Sequence, residues 1–301
     1  MARHERVHSQ VKGEHLKNTF KLYGNKLKIV VVDDITKDGP FDEAVKGVHT
    51  IAHTALPVQL SVGDPQELFV SAVKGTVGML TSAAKYGSSV QRIVITSLCA
   101  AIMWSEPETI TLSEVNWNEQ SPKEVEEKGL YALPFAKYCM SKALAEKVAW
   151  DFYEGHKPEF AWDLTVINLP WVFGPFIHDM PSLNALNASS KMWYDTVVQE
   201  DLGHSWVDVH DLAKAHVQAL EVEAAGGERI IISAGSCVWQ DCVIVVQSAS
   251  TSQVLSKPVP GDMKYAIIFD MNKEKRLLGL KFRTMEETAR DVLSDFDSRG
   301  W

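Results

Sequence analysis

The feature that most restricts the fold of this chain is a repeated alternation between short β-branched runs and longer helical stretches. The runs LKIVVVD (27–33), HTIAHTA (49–55), RIVITSL (92–98), LTVINLP (164–170) and RIIIS (229–233) are rich in Val, Ile and Thr. They are too short to be core helices and read as strands. Runs apolar on both sides are the pattern of a parallel sheet covered by helices on both faces. Helical patterns lie near 12–22, 41–47, 66–86, 135–155, 209–222 and 237–248. KYGS and EAAGGE read as turns, and GPFDEAVKG sets a proline just ahead of a short helix. The segment 101–133, rich in Glu, Pro, Ser and Thr, reads as a long irregular loop, a kind of segment that more often carries function than none. Over 174–205 and 236–301 the alternation is less regular. These stretches are expected to form a smaller substrate lobe, with 1–173 and 206–235 forming a dinucleotide-binding α/β unit.

Composition narrows the function classes. The chain has 301 residues, 46% of them hydrophobic and 23% charged, enough for a large core. A net charge of −9 argues against nucleic acid or an anionic membrane as partner. No stretch is long and apolar enough to span a bilayer. The opening MARHERVHSQVKGEH has no apolar run, so it is not a secretory signal, and Glu5 and Glu14 argue against a transit peptide. A soluble, cytoplasmic protein is the expectation. Cys99, Cys139, Cys237 and Cys242 are too few and too scattered for a disulfide framework and fit no zinc spacing. They are expected to be reduced and mostly buried, and no metal is expected.

Chemistry is suggested by AKYCMSKALAEKVAW (136–150), which sets Tyr138 and Lys142 four positions apart and therefore on one helix face. Tyr153 and Lys157 repeat the spacing, but Gly155 and Pro158 put that copy on a fraying helix end. In a parallel α/β sheet, ligands bind beyond the carboxyl ends of the strands. Three such ends are notable: Asp33-Asp34-Ile35, His53-Thr54-Ala55 and Thr96-Ser97. Asp34 also reads as a turn cap, and His53 as a packed strand-end histidine. GTVG (75–78) lies inside a helical pattern, where small residues serve close packing rather than a phosphate loop.

The segments VVVDDITKDGPFDEAVKGVHTIAHTA, AVKGTVGML, RIVITS, LSEVNWNE, YCMSKALAEKVAW, INLPWVFGP, WVDVHDLAKAH and KEKRLLGLKF occur in this order. Together they resemble the extended short-chain dehydrogenase/reductases, and within them the dihydroflavonol reductase-like branch that includes fungal methylglyoxal and ketone reductases. The resemblance implies a Rossmann-type doubly wound parallel sheet and NADPH-dependent reduction of a ketone or aldehyde on a small-molecule or secondary-metabolite substrate. It implies Tyr138 as proton donor to the carbonyl oxygen, with Lys142 tuning it and bonding the nicotinamide ribose. An ammonium one turn away is expected to lower the tyrosine pKa. By the same resemblance, Asp34 and Ile35 contact the adenine. His53, Thr54 and Ala55 run beneath the cofactor, as do Thr96 and Ser97. Pro170, Trp171 and Val172 flank the nicotinamide, and Lys12 holds the 2′-phosphate. Leu98 and Trp171 line the substrate side, with Trp104, Trp193 and Trp206 offering further apolar wall.

Three departures from the pattern stand out. The opening strand, GxxGxxG turn and helix of the family have no match, so the chain is expected to begin near the family's second strand, leaving the neighbours of the first strand facing a gap. The catalytic serine position is Leu98. Ser97 is expected to point to the opposite face, and Thr96 lies two residues deeper. His8 stands where an arginine would hold the 2′-phosphate. These departures leave two readings open: a reductase with a weakened site, or a relative that binds a small molecule or partner without redox chemistry.

Overall fold

In the computed structural model the described residues are 3–7, 9–55, 65–180, 182–196, 204–237 and 266–301. The strands are β1 Arg3–Val7, β2 Leu27–Val31, β3 Thr50–His53, β4 Arg92–Leu98, β5 Ile110–Leu112, β6 Asp163–Leu169, β7 Trp171–Phe173, β8 His204–Asp208, β9 Arg229–Ile231, β10 Gly235–Cys237 and β11 Ile267–Phe269. The helices are α1 Gln10–Thr19, α2 Pro65–Tyr86, α3 Gln120–Lys128, α4 Pro134–His156, α5 Ala188–Thr196, α6 Val209–Glu221, α7 Asn272–Leu277 and α8 Met285–Ser298.

The centre is a four-stranded parallel sheet in the order β3-β4-β6-β9. Along β4 the side chains alternate between two cores, as the pleat requires. Ile93 and Ile95 join Phe41, Met79, Leu80 and Tyr153 on the side of α2 and α4, and Val94 joins Leu212, Ala215 and Ala219 of α6 on the other. Burial on both faces explains why these strands read as unbroken apolar runs rather than alternating ones. Together the parallel strands and flanking helices make the expected Rossmann-type α/β fold.

The β1–β2 pair is also parallel, but it forms a separate sheet with no ladder to β3 among the described residues. Among the described residues β3 is therefore an edge of the four-stranded sheet. A third sheet, β10-β8-β7, underlies a second apolar cluster built from Phe173, Phe176, Trp193, Trp206, Val292 and Phe296. α8 feeds that cluster by burying Thr288, Ala289, Val292 and Phe296 along one stripe, and Thr284 and Glu287 close its N-terminus with a capping box. Among the described residues no helix is long and apolar enough to cross a membrane.

Several expectations change. The helix expected at 41–47 is a series of turns, closed by Ala44 N–H and Val45 N–H donating to the Phe41 carbonyl. Gly39 and Gly47 bracket it with positive φ, and so short a segment cannot offset helix nucleation. The stretch 101–133 is not one irregular loop. β5 pairs with β11 from far along the chain, and the Asn118 Oδ1 accepts from Ser121 N–H in the first turn of α3 at 2.9 Å. Trp193 and Trp206, expected as cleft wall, are 3% and 4% exposed inside the second cluster. The helix expected at 237–248 lies outside the described residues, as do His8 and Cys242.

Candidate active site

The carboxyl ends of β3, β4 and β6 lie side by side. His53 is in register with Ile95, and Leu98 with Leu169. Over this edge α4 begins with Pro134 in its first turn, where the missing N–H leaves no bond unmade. The helix buries Ala136, Cys139, Met140, Ala143 and Ala145, and the same packing immerses Lys142. Lys142 is 2% exposed and Tyr138 half-buried, with the Lys142 Nζ 5.0 Å from the centre of the Tyr138 ring. The spacing has thus brought the pair together.

Their electrostatics differ from the simple expectation. Burial pushes the Tyr138 phenol well above its ordinary value, with the neighbouring Cys139 adding to the rise. Burial also drives the Lys142 ammonium down to about 7. A lysine that is half neutral near pH 7 cannot act as the fixed cation that lowers a tyrosine. In this environment burial dominates both groups. Tyr138 is therefore held as an acid, a phenol with its proton, beside a lysine poised to gain or lose one.

The two hydroxyls next to Leu98 are already committed within the fold. Ser97 lies on the α4 face, 3% exposed, and donates to Glu146 Oε2 at 2.5 Å. Thr96 faces α6, where its Oγ1 lies 2.7 Å from His216 Nε2. His216 Nδ1 meets the Leu212 carbonyl at 2.9 Å, so Nδ1 carries the hydrogen and Nε2 accepts from Thr96. Burial holds His216 below its ordinary range and so neutral, in keeping with that tautomer. The family resemblance implies both side chains beside the cofactor, but the fold uses their hydroxyls internally. Leu98 packs against the apolar cluster that includes Leu212 and Val207, so the position where the resemblance expects a serine carries an apolar group.

Residues that pattern reading did not find hold this site in place. Glu146, one turn beyond Lys142, also accepts from Asn168 Nδ2 at 2.7 Å and Arg229 Nε at 2.6 Å. With Ser97, its donors come from three adjacent strands, so the Glu146 carboxylate ties the helix of Tyr138 to β4, β6 and β9. Arg229 stacks on Trp117 at 3.6 Å and donates to the carbonyls of Glu114 and Asn116, fastening the 113–117 segment to the same point. The i+4 spacing of Glu146 from Lys142 was the only available signal, and its partners are 22 to 83 residues away.

The remaining candidate positions vary. His53 is buried with its ring edge-on to Phe41 at 5.9 Å, while Thr54 is exposed and Ala55 half-buried. Asp34 Oδ1 accepts from Thr36 N–H at 2.8 Å and Thr36 Oγ1 at 2.6 Å, closing a turn, and these bonds hold its carboxyl below the usual range. The Ile35 side chain packs on α2 where Gly75 leaves room, since a Cβ at Gly75 would meet Ile35 Cδ1 at 2.7 Å. That is the close packing read from GTVG. Lys12 is exposed on α1. It adds to the positive field of Arg299 and His15 that, after burial, keeps His178 low. Pro170, Trp171 and Val172 are half-buried directly beyond β6.

For a dinucleotide across these strand ends, the buried Tyr138–Lys142 donors suit a nicotinamide ribose. No glycine turn for the pyrophosphate occurs among the described residues. Two strings have metal-ligand spacing, HERVH (4–8), whose second histidine lies outside the described residues, and HTIAH (49–53), whose residues 50–53 are a strand. Residues four apart on a strand lie about 13 Å from each other, whereas a helix brings them together. Among the described residues no group of three or more His, Cys, Asp or Glu side chains is placed to hold a metal.

Comparison with known proteins agrees with this architecture. The family model described as the NAD dependent epimerase/dehydratase family matches residues 3–235. The chain is 33% identical to the ketoreductase azaE of Aspergillus niger over 310 residues, covering 96% of this chain and 88% of that protein. It is 32% identical to the NADPH-dependent methylglyoxal reductase GRE2 of Saccharomyces cerevisiae over 310 residues, 95% and 88% of the two chains. The crystal structure of yeast methylglyoxal/isovaleraldehyde reductase Gre2 complexed with NADPH matches with a TM-score of 0.84 at 30% identity, covering 99% of this chain and 92% of that one.

Proposed function

The chain belongs to the NAD dependent epimerase/dehydratase family, and on that premise we propose that it is an NADPH-dependent oxidoreductase that reduces a ketone or aldehyde on a small molecule. The observation that carries the reading is Lys142 buried beneath the half-exposed Tyr138 ring at the carboxyl ends of a parallel sheet.

Bound NADPH supplies a hydride to the carbonyl carbon. The chain's own residues manage the proton. The Tyr138 hydroxyl donates its proton to the carbonyl oxygen as negative charge develops there. Burial keeps the Tyr138 phenol protonated and so ready to donate, and Lys142, brought down to about 7, supplies a positive charge beside it only in its protonated fraction. Lys142 would also hydrogen-bond the nicotinamide ribose when the cofactor is bound. Pro170, Trp171 and Val172 would hold the nicotinamide end of the cofactor, and His53, Thr54 and Ala55 would lie on its protein side. Asp34 and Ile35 mark the adenine end, and Lys12 supplies positive charge for the 2′-phosphate. Leu98 cannot donate to the carbonyl oxygen, so Tyr138 carries that polarisation alone, and one lost donor of this kind costs about 10²–10³ in rate. The described parts of 174–205 and 236–301 are assigned to the substrate half.

A fluorescence titration of NADPH into the purified chain, with NADH alongside, tests this reading. Saturable binding with a blue-shifted nicotinamide emission, tighter for NADPH, is the expected result. A folded chain that binds neither cofactor overturns it.

A further inference from the structure

The polar contacts at the carboxyl end of the sheet close into a circuit. Asn168 Nδ2 donates to the Leu98 carbonyl at 3.3 Å as well as to Glu146 of α4. From Glu146, Arg229 continues to the carbonyls of Glu114 and Asn116 and to the Trp117 ring. The segment then returns to β4. Asn118 N–H donates to the Ala101 carbonyl at 2.8 Å and Asn118 Nδ2 to the Ala100 carbonyl at 3.1 Å, both in the turn directly after Leu98. Trp117 also meets α4 itself, with Lys147 Nζ 5.3 Å from a ring centre, so cations from β9 and α4 share one indole. Polar bonds rather than apolar burial orient this segment. Glu114 is 6% exposed, with its Oε1 accepting from Ile231 N–H at 3.1 Å, and Asn118 is 1% exposed, while the apolar Val115 between them stands 81% in solvent. A guanidinium buried among carboxylates adds little stability over an apolar filling, but it fixes geometry.

We propose that Trp117 and Asn118 are positioning residues for the reduction. By closing the circuit they fix how the end of β4 at position 98 stands relative to the helix that carries Tyr138, and so where the phenol proton lies relative to the carbonyl. The proposal rests on the reductase reading above and adds to it two residues that act through Arg229, α4 and the turn after β4. A displacement of about 1 Å at such a site lowers the rate by up to about 10²-fold.

The test replaces Trp117 rather than Arg229, because losing Arg229 would strip the buried Glu146 of its cation. Trp117→Leu keeps apolar bulk but removes the face on which Arg229 stacks, and Trp117→Phe restores a ring. With methylglyoxal and isovaleraldehyde as probes, kcat should fall about thirtyfold in Trp117→Leu and return to within about threefold of the wild type in Trp117→Phe. NADPH affinity by fluorescence titration should stay within about twofold in both. Asn118→Ser keeps an acceptor for Ser121 N–H, loses the reach to the Ala100 carbonyl, and should show the same split between turnover and binding. Unchanged kcat, a loss that only follows the folded fraction, or Trp117→Phe no better than Trp117→Leu overturns the proposal. A wild type that reduces neither probe counts against the reductase reading, and amide hydrogen exchange then decides the circuit. Exchange in Trp117→Leu should speed about tenfold over 98–102 and 138–142 but not over 150–156. Unchanged exchange in the first two segments, or equal speeding in all three, overturns the proposal.

Discussion

At one end of α4 the Tyr138 ring lies over Lys142, and at the other the Tyr153 ring lies under Lys157, with nitrogen-to-ring distances of 5.0 and 5.2 Å. The sequence spacing and the contact are nearly the same, but the surroundings are opposite. In the first pair the lysine is immersed, 2% exposed, and its tyrosine reaches the surface. In the second the tyrosine is immersed, 2% exposed and stacked on Trp162 at 5.7 Å, and the lysine side chain stands 53% in solvent. A desolvated lysine loses its preference for the charged form and titrates near neutrality, whereas a desolvated tyrosine with a hydrated lysine is a core residue with a cation at its rim. Which partner loses water separates a pair suited to proton transfer from one that holds a helix end.

The largest effect that could break this comparison is on turnover. Tyr138→Phe should lower carbonyl reduction about 10³-fold, and Tyr153→Phe should change it less than about threefold while costing about 1 kcal/mol of stability. Equal rates in the two variants would remove the distinction. Between the pairs sits Glu146. Glu146→Ala leaves Arg229 buried without its carboxylate and should destabilise the protein by about 3–5 kcal/mol in urea unfolding. A loss under about 1 kcal/mol would mean that the helix is not held there. Leu98→Ser should raise kcat up to about 10²-fold by restoring a donor to the carbonyl oxygen, and no rise in a folded, cofactor-binding variant would count against a reductase weakened at that position.

The subtlest test is pH. The folded Lys142 titrates at about 7 against an ordinary 10.5, so between those values the unfolded chain binds more protons. Stability from this group is therefore lowest below pH 7 and rises as pH climbs from 7 towards 10.5. Activity that needs the ammonium runs the other way, falling about tenfold per unit above pH 7. Lys142→Met should flatten the rise in stability across that window, and an unaltered stability profile would show that the lysine is hydrated rather than immersed.

The central strands were legible because each is buried on both faces and so writes burial directly into composition: RIVITSL corresponds residue for residue to β4. The short helix at 41–47 misled because its apolar Phe41, Ala44 and Val45 are core residues presented by turns. The elements within 101–133 were hidden because β5 owes its existence to β11, more than 150 residues later. For the site, the i and i+4 relation of Tyr138 and Lys142 is local and could be read directly.

What the sequence determined by itself was therefore what depends on near neighbours: the strand–helix alternation, the shared face of Tyr138 and Lys142, and the apolar residue at position 98. Only the tertiary structure decided the solvation of each group. It immersed Lys142, turned the Ser97 hydroxyl to Glu146 and the Thr96 hydroxyl to His216, and left Leu130, Tyr131, Leu133 and Phe135 in water. Those outcomes depend on elements far apart in the chain that exclude water from one side chain and not another, and the free energy of a charge or a polar bond follows from that exclusion rather than from spacing.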